Sequence, residues 1–210
     1  MAAFQDYAGS GGSNTPGGHY RMAFQTGLTT IIAGGGAIFC FRWTQPALFC
    51  RLLKLKVSGT VNTAMGTAQT LDVAAFRATG WSAGPTAGVT LTNFKNGENA
   101  MADAGVITGM ANLLQICPAA ATNIAVANTG AVTKGTLTVD GNPFAYDVFN
   151  MTALGSSDRV TLYDVAWGNE YPLTFGNNEG LVLTVPTTQG ATGVIVYYIT
   201  MTIAVNNLPF

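Results

Sequence analysis

Apolar and polar residues alternate along this chain with a period of two, and no sustained 3.6-residue period occurs. The clearest run is TGVIVYYITMTIAV, residues 192–205. Its odd positions Ile195, Tyr197, Ile199, Met201, Ile203 and Val205 are apolar, while Thr200, Thr202 and Asn206 hold the other phase. Successive side chains of a strand point to opposite faces, so the run reads as one long strand with a buried face and a wetter one. Its first half, with Val194, Val196 and Tyr198, is apolar on both faces. Just before it, in NNEGLVLTVP (177–186), Leu181, Leu183 and Val185 share one phase. The two segments read as a turn-linked pair facing a common core.

The same reading yields about ten strands separated by Gly, Pro or Asn turns. Strands are expected at Thr29–Ala33, Ala37–Trp43, Phe49–Ser58, Ala68–Ala78, Val89–Thr92, Leu113–Cys117, Asn123–Val126, Gly135–Asp140, Arg159–Val165 and Pro172–Phe175, ahead of the closing pair. Residues 37–58 are expected to form a β-hairpin around Pro46. Gly80–Gly88 reads as a loop, Glu98–Asp103 as one helical turn, and Asp140–Pro143 (DGNP) as a turn. Many short alternating strands without helices predict an all-β, two-sheet sandwich of jelly-roll kind. Residues 1–27, rich in Gly, Ser and Asn, read as an N-terminal arm, and residues 28–210 as the β-sandwich domain.

Composition changes that picture in one respect. Only 9% of residues are charged, against about 25% in a typical soluble domain, while 48% are hydrophobic. A folded chain with so little charge to solvate its surface points to contacts with other subunits. A surface of Thr, Asn and Gln is the alternative. The net charge of −1 gives no basic footprint for nucleic acid. Lys54 and Lys56, on one face of a strand, read as guards of a sheet edge. The N-terminus MAAFQDYAGSGG lacks the basic start and apolar run of a secretory leader. No stretch reaches the ~18 apolar residues of a membrane-spanning helix, so no membrane partner is expected.

Candidate chemistry is sparse. Cys40, Cys50 and Cys117 lack a CxxC spacing, and the one histidine, His19, cannot complete a zinc set. The three thiols are expected to be free, and no metal or cofactor is expected. His19 lies in the Gly-rich arm, where a catalytic triad would have no fixed geometry, and GxSxG, Walker and HExxH motifs are absent. Asp158, Asp164, Glu170 and Glu179 stand close in sequence. A pair of them would suit glycoside hydrolysis or calcium, but Asp158 (SSD) and Glu179 (NNEG) sit in turns, where capping is the ordinary task. Trp167, Tyr171 and Phe175, in AWGNEYPLTF, have three roles open to them: a sugar platform, a subunit interface or the core. The sequon Asn150-Met151-Thr152 matters only in a secretory pathway. The chain is therefore expected not to be an enzyme.

Three stretches carry a resemblance: IFCFRWTQP with its following strand, LDVAAFRATGWSAG, and NNEGLVLTVPTTQGATGVIVYYITMTIAV. In their order they resemble a loosely defined group of tailed-phage and prophage virion proteins, over about two-thirds of the chain from residue 36 on. The resemblance implies a virion structural protein, a head decoration, cement or minor capsid-associated component assembled in the host cytoplasm. Its partners would be other copies of itself, with a trimer as the first expectation, and the major capsid protein or another virion protein. The interface candidates are Phe4, Tyr7, Tyr20 and Phe24 of the arm, which would tether a neighbouring subunit, together with Trp167 and Tyr171. A virion-borne carbohydrate- or receptor-binding module is the alternative. A main shell protein of the usual tailed-phage fold would need a long helix that the sequence does not encode.

Overall fold

The structure is a computed structural model that describes residues 18–30, 32–44, 49–65, 70–86, 124–151, 153–165, 172–189 and 192–206. Among the described residues the chain is all-β. Its strands are β1 (Gly18–Gln25), β2 (Gly36–Trp43), β3 (Phe49–Thr63), β4 (Leu71–Ala83), β5 (Ile124–Val126), β6 (Thr136–Val139), β7 (Ala145–Phe149), β8 (Ser157–Asp164), β9 (Leu173–Phe175), β10 (Glu179–Val185) and β11 (Val194–Asn206). They form two antiparallel sheets. Sheet A runs β1-β11-β3-β8, with β9 also paired to β3. Sheet B runs β5-β2-β10-β4-β6, with β7 also paired to β4. The sheets pack face to face as a β-sandwich.

The alternating phases explain the packing. On β11, Ile195, Tyr197, Ile199, Met201 and Ile203 are all within 1% of fully buried, whereas Thr200 and Thr202 are half-buried. Opposite them on β3, Leu52, Leu55, Val57 and Val61 are buried, and their register with Ile203, Met201, Ile199 and Ile195 puts all of them on one face. Sheet B meets this face with Phe39, Phe41, Leu181 and Leu183, which lie in register on β2 and β10. Phe24 of β1 touches Phe39 (ring centroids 5.1 Å apart), and Phe175 of β9 touches Phe41 (6.2 Å). These contacts across the gap identify the inner faces of both sheets.

Several expectations drawn from the sequence change here. Residues 37–58 do not form a hairpin. β2 pairs with β10 and β5, and β3 pairs with β11, β8 and β9 in the other sheet. β10 and β11 likewise face one core from opposite sheets instead of pairing. Alternation states that a strand has an apolar face, but an arch between sheets and a hairpin within one satisfy that face equally well. Lys54 and Lys56 guard no edge, because β3 is an interior strand flanked by β11 and β8. Thr29–Ala33 contributes only an isolated bridge, Thr29 to Ile195. β7 was not expected, and β4 continues through the segment read as the start of a loop. The strands expected at Val89–Thr92 and Leu113–Cys117, and the helical turn at Glu98–Asp103, lie outside the described residues.

The N-terminal boundary also moves. Residues 18–25, given to the arm on composition, form β1 and pair with β11 from Gly18↔Val205 to Gln25↔Tyr198. The glycines before them mask a short alternation in which Met22 and Phe24 are buried and Arg21, Ala23 and Gln25 exposed.

Candidate functional site

Two regions bear on function: a cleft at one end of the sandwich, and the outer face of sheet A.

The cleft forms where the chain passes from β9 to β10, and so from sheet A to sheet B. It has a volume of about 610 Å³ and is lined by Phe49, Arg77, Pro172, Leu173, Thr174, Gly176, Asn177 and Glu179. The crossing needs a tight turn. Asn178 supplies it in the left-handed region (φ 62°), which Asn tolerates better than most residues. Its carbonyl oxygen accepts from Trp81 N–H at 3.2 Å, and its N–H donates to the Trp43 carbonyl at 2.7 Å. The Arg42 guanidinium donates to Asn178 Oδ1 (2.7 Å) and to the Trp81 carbonyl (3.1 Å). Arg77 donates from one nitrogen to both carboxylate oxygens of Glu179, at 2.9 and 3.0 Å. Glu179 Oε2 also accepts from the Gly176 N–H at 2.8 Å. Glu179 thus ties the turn to sheet B, in keeping with its reading as a turn cap. With both oxygens engaged, it is poorly placed as a general acid or base. Its sequence neighbour Glu170 lies outside the described residues.

Asp158 also caps. Its carboxylate accepts from the N–H groups of Asn150 (2.8 Å) and Arg159 (2.7 Å), and these bonds hold its pKa below the usual carboxylate range. Asp164 pairs with Lys54 at 2.5 Å on the outer face of sheet A. The carboxylate that the sequence reading passed over is Asp72, which is buried. It accepts from Tyr146 Oη (2.8 Å), Thr187 N–H (2.9 Å) and Thr187 Oγ1 (2.8 Å). These bonds fasten the loop after β10 to the start of β4. The bond to Asp72 is also the main reason that the Tyr146 phenol is harder to ionise than usual. Nearby, Gln189 Nε2 donates to Tyr197 Oη, and burial pushes that phenol's pKa up. A lone Asp within an alternating strand carries no sequence sign of such a network. Among the described residues, no group of three His, Cys, Asp or Glu side chains could hold a metal ion.

Cys40 and Cys50 are free and buried. A bridge between them is geometrically barred. Cys40 belongs to the outward phase of β2, opposite to Phe39 and Phe41, and Cys50 to the inward phase of β3 with Leu52, so sheet B lies between them. Burial raises the Cys40 thiol from 9.0 to about 12, against the opposing pull of the Lys134 charge. Burial raises Cys50 well above its ordinary value. Cys117 lies outside the described residues.

Of the six interface candidates, Phe4, Tyr7, Trp167 and Tyr171 lie outside the described residues. Tyr20 pairs through its backbone with Ile203 in β1. Phe24 is corrected: it is 2% exposed and packs on Phe39, so it is a core residue of its own chain and cannot anchor the arm to a neighbour.

The outer face of sheet A was not singled out by the sequence reading. Its rows follow from the register. One row runs Arg21, Thr202, Lys54, Asp164, the next Ala23, Thr200, Lys56, Thr161, and the next Gln25, Tyr198, Ser58, Arg159. Arg51 stands beside Ala204 at one end. Among the described residues this face therefore presents five of the chain's nine Lys and Arg and one carboxylate, Asp164. Arg21, Lys56 and Arg159 form no ion pair with a described carboxylate. The sequence carried part of the signal in the shared phase of Lys54 and Lys56, but Arg51 stands in the opposite phase and reaches this face only through the irregularity at Leu53.

No protein-family model matches the chain, and no curated protein matches it.

Proposed function

We propose that this protein is a virion structural subunit that decorates or cements a phage capsid through contacts with its own copies and with the shell. The observation that carries the reading is the strand order. Successive long strands alternate between the sheets, and β1-β11-β3-β8 faces β2-β10-β4-β6. We read this as the order that two nested Greek keys produce in a jelly roll, an architecture used by viral capsid and lectin domains. That is an argument from architecture, and a fold alone does not assign function. The resemblance of the FRW, AAFRA and NEG segments to virion proteins supports it, as does the low charge content. In this reading the work is mechanical. A shell is held by many modest interfaces, and residues 1–17, with Phe4 and Tyr7 as apolar anchors, act as a tether.

The test is to probe gradient-purified particles from the source with an antibody raised against the chain. The reading expects stoichiometric presence on the particle, reduced when residues 1–17 are deleted and β1 is left intact. Particles that lack the protein would sink the proposal. A second reading, a virion-borne carbohydrate- or receptor-binding module, is favoured by the open cleft beside Pro172–Thr174. Glycan-array binding that is lost in Arg77→Ala would select it.

A further inference from the structure

The two sheets differ in how they treat charge. Sheet B's strands leave few cations at the surface: Arg42 and Arg77 are tied to Asn178 and Glu179, and the Lys134 Nζ donates to the Gly35 carbonyl. Sheet A's outer face gathers Arg21, Arg51, Lys54, Lys56 and Arg159 around the single carboxylate of Asp164. The chain as a whole has a net charge of −1, so its remaining residues carry the matching excess of acid. Part of that excess is visible. Asp140 follows β6, Asp147 lies in β7 and Asp158 in β8, and none of the three is in an ion pair with a described cation. β6 and β7 both pair with β4 at the edge of sheet B, and there β7 approaches β8 and Phe144 meets Tyr163 (ring centroids 5.9 Å apart), so these three carboxylates lie along one lateral margin of the sandwich. Asp158 keeps its charge to unusually low pH, because two backbone N–H groups stabilise it.

We infer that the outer face of sheet A docks onto the β6–β7–β8 margin of a second copy of this chain. The inference deepens the assembly reading above and rests on it. The basic face and the acidic margin share only β8, and Arg21 and Lys56 stand on other strands and form no ion pair with a described carboxylate of their own subunit. Between copies they meet head to tail, a contact that closes into a ring or continues as a chain according to its rotation. The Thr and Ser residues between the cations (Thr161, Thr200, Thr202, Ser58) supply neutral hydrogen-bonding groups. Such a surface suits the polar contacts of a protein interface. A nucleic acid is the lesser fit. A single strand binds a sheet through several stacked aromatic rings, and among the described residues this face presents Tyr198 (39% exposed) as its one large exposed ring.

The experiment is sedimentation velocity of the full chain at about 0.01 M and about 1 M salt, where charges are felt over about 30 Å and about 3 Å respectively. Association at low salt that is lost at high salt is expected. The double variant K56E/R159E, with both changes on the solvent face, should lower the association constant by about tenfold or more and keep the circular dichroism of the parent. D140K/D147K should do the same, and an equimolar mixture of the two variants should regain association. If K56E/R159E associates like the parent, the inference fails while assembly through other contacts stands. If the parent is monomeric at both salts, the inference fails, and salt-dependent binding of a short DNA duplex would then name a nucleic acid as the partner of this face. If each variant is weakened but the mixture is not rescued, the acidic margin is not the partner surface and the proposal is overturned.

Discussion

Sheet A and sheet B share one core, yet their middle strands differ in how far the outward phase is covered. On sheet B's middle strand, β10, residues Gly180 to Val185 are buried in both phases, and Val182 and Cys40 of the outward phase are fully buried. The Trp81 indole covers part of that outer side. It lies over Gly180 and donates from Nε1 to the Lys134 carbonyl at 2.8 Å. On sheet A's middle strands the outward phase is half-buried to exposed over most of its length, with Val196 and Ala204 as the buried exceptions. A strand buried on both faces has no side left for a partner, whereas one buried on a single face presents a ready-made surface. The difference leaves the outer face of sheet A as the side on which the proposed assembly would rest.

The sharpest way to break the comparison is at Gly180. A Cβ there would stand 1.9 Å from the Phe41 carbonyl oxygen and 2.9 Å from the Trp81 ring. Gly180→Val should therefore cost more than about 4 kcal/mol, read as loss of the cooperative urea transition under native conditions. Next is the shared core. Ile199→Ala should cost about 2–5 kcal/mol by opening a cavity, measured as a lower urea midpoint with an unchanged slope.

The comparison itself is tested by a matched pair of outward-phase residues. Val182→Ala on sheet B should lose about 2 kcal/mol, because it removes buried methyl groups. Thr200→Ala on sheet A should stay within about 0.5 kcal/mol of the parent. Equal costs at the two sites would mean that sheet A's outer face is as buried as sheet B's.

The smallest effect at neutral pH concerns the thiol on sheet B's outer side. With the folded pKa of Cys40 raised by burial from 9.0 to about 12, the folded state favours the protonated form. Its stabilising share is complete below pH 9 and is lost as the pH rises through about 12. A Cys40→Ala variant should flatten the decline of stability across that window. Cys40 and Cys50 should also resist a thiol reagent in the native state and react once the chain unfolds.

The all-β class and the two-sheet sandwich were legible in the sequence, as was the inward set on β11 from Ile195 to Ile203. Each depends on local alternation, and burial of one phase follows from it directly. The pairing of β2 with β10 rather than β3 was not legible, because partners distant in sequence are chosen by packing and leave no mark on either strand alone. β1 was hidden by the glycines before it, and β7 by its broken alternation, because Asp147 occupies the phase of the core residue Phe149. The Asp72 network and the basic face were missed for one shared reason: each is assembled from several strands, and only the register between them places its members together.

The most direct test of the account is lysine-reactive labelling, read by mass spectrometry, of the free chain and of the assembled state. Lys54 and Lys56 lie on sheet A's outer face, and Lys134 is the internal reference from the sheet B side. The account predicts that Lys54 and Lys56 lose their reactivity on assembly while Lys134 keeps its own. Unchanged labelling of Lys54 and Lys56 in the assembled state would contradict it.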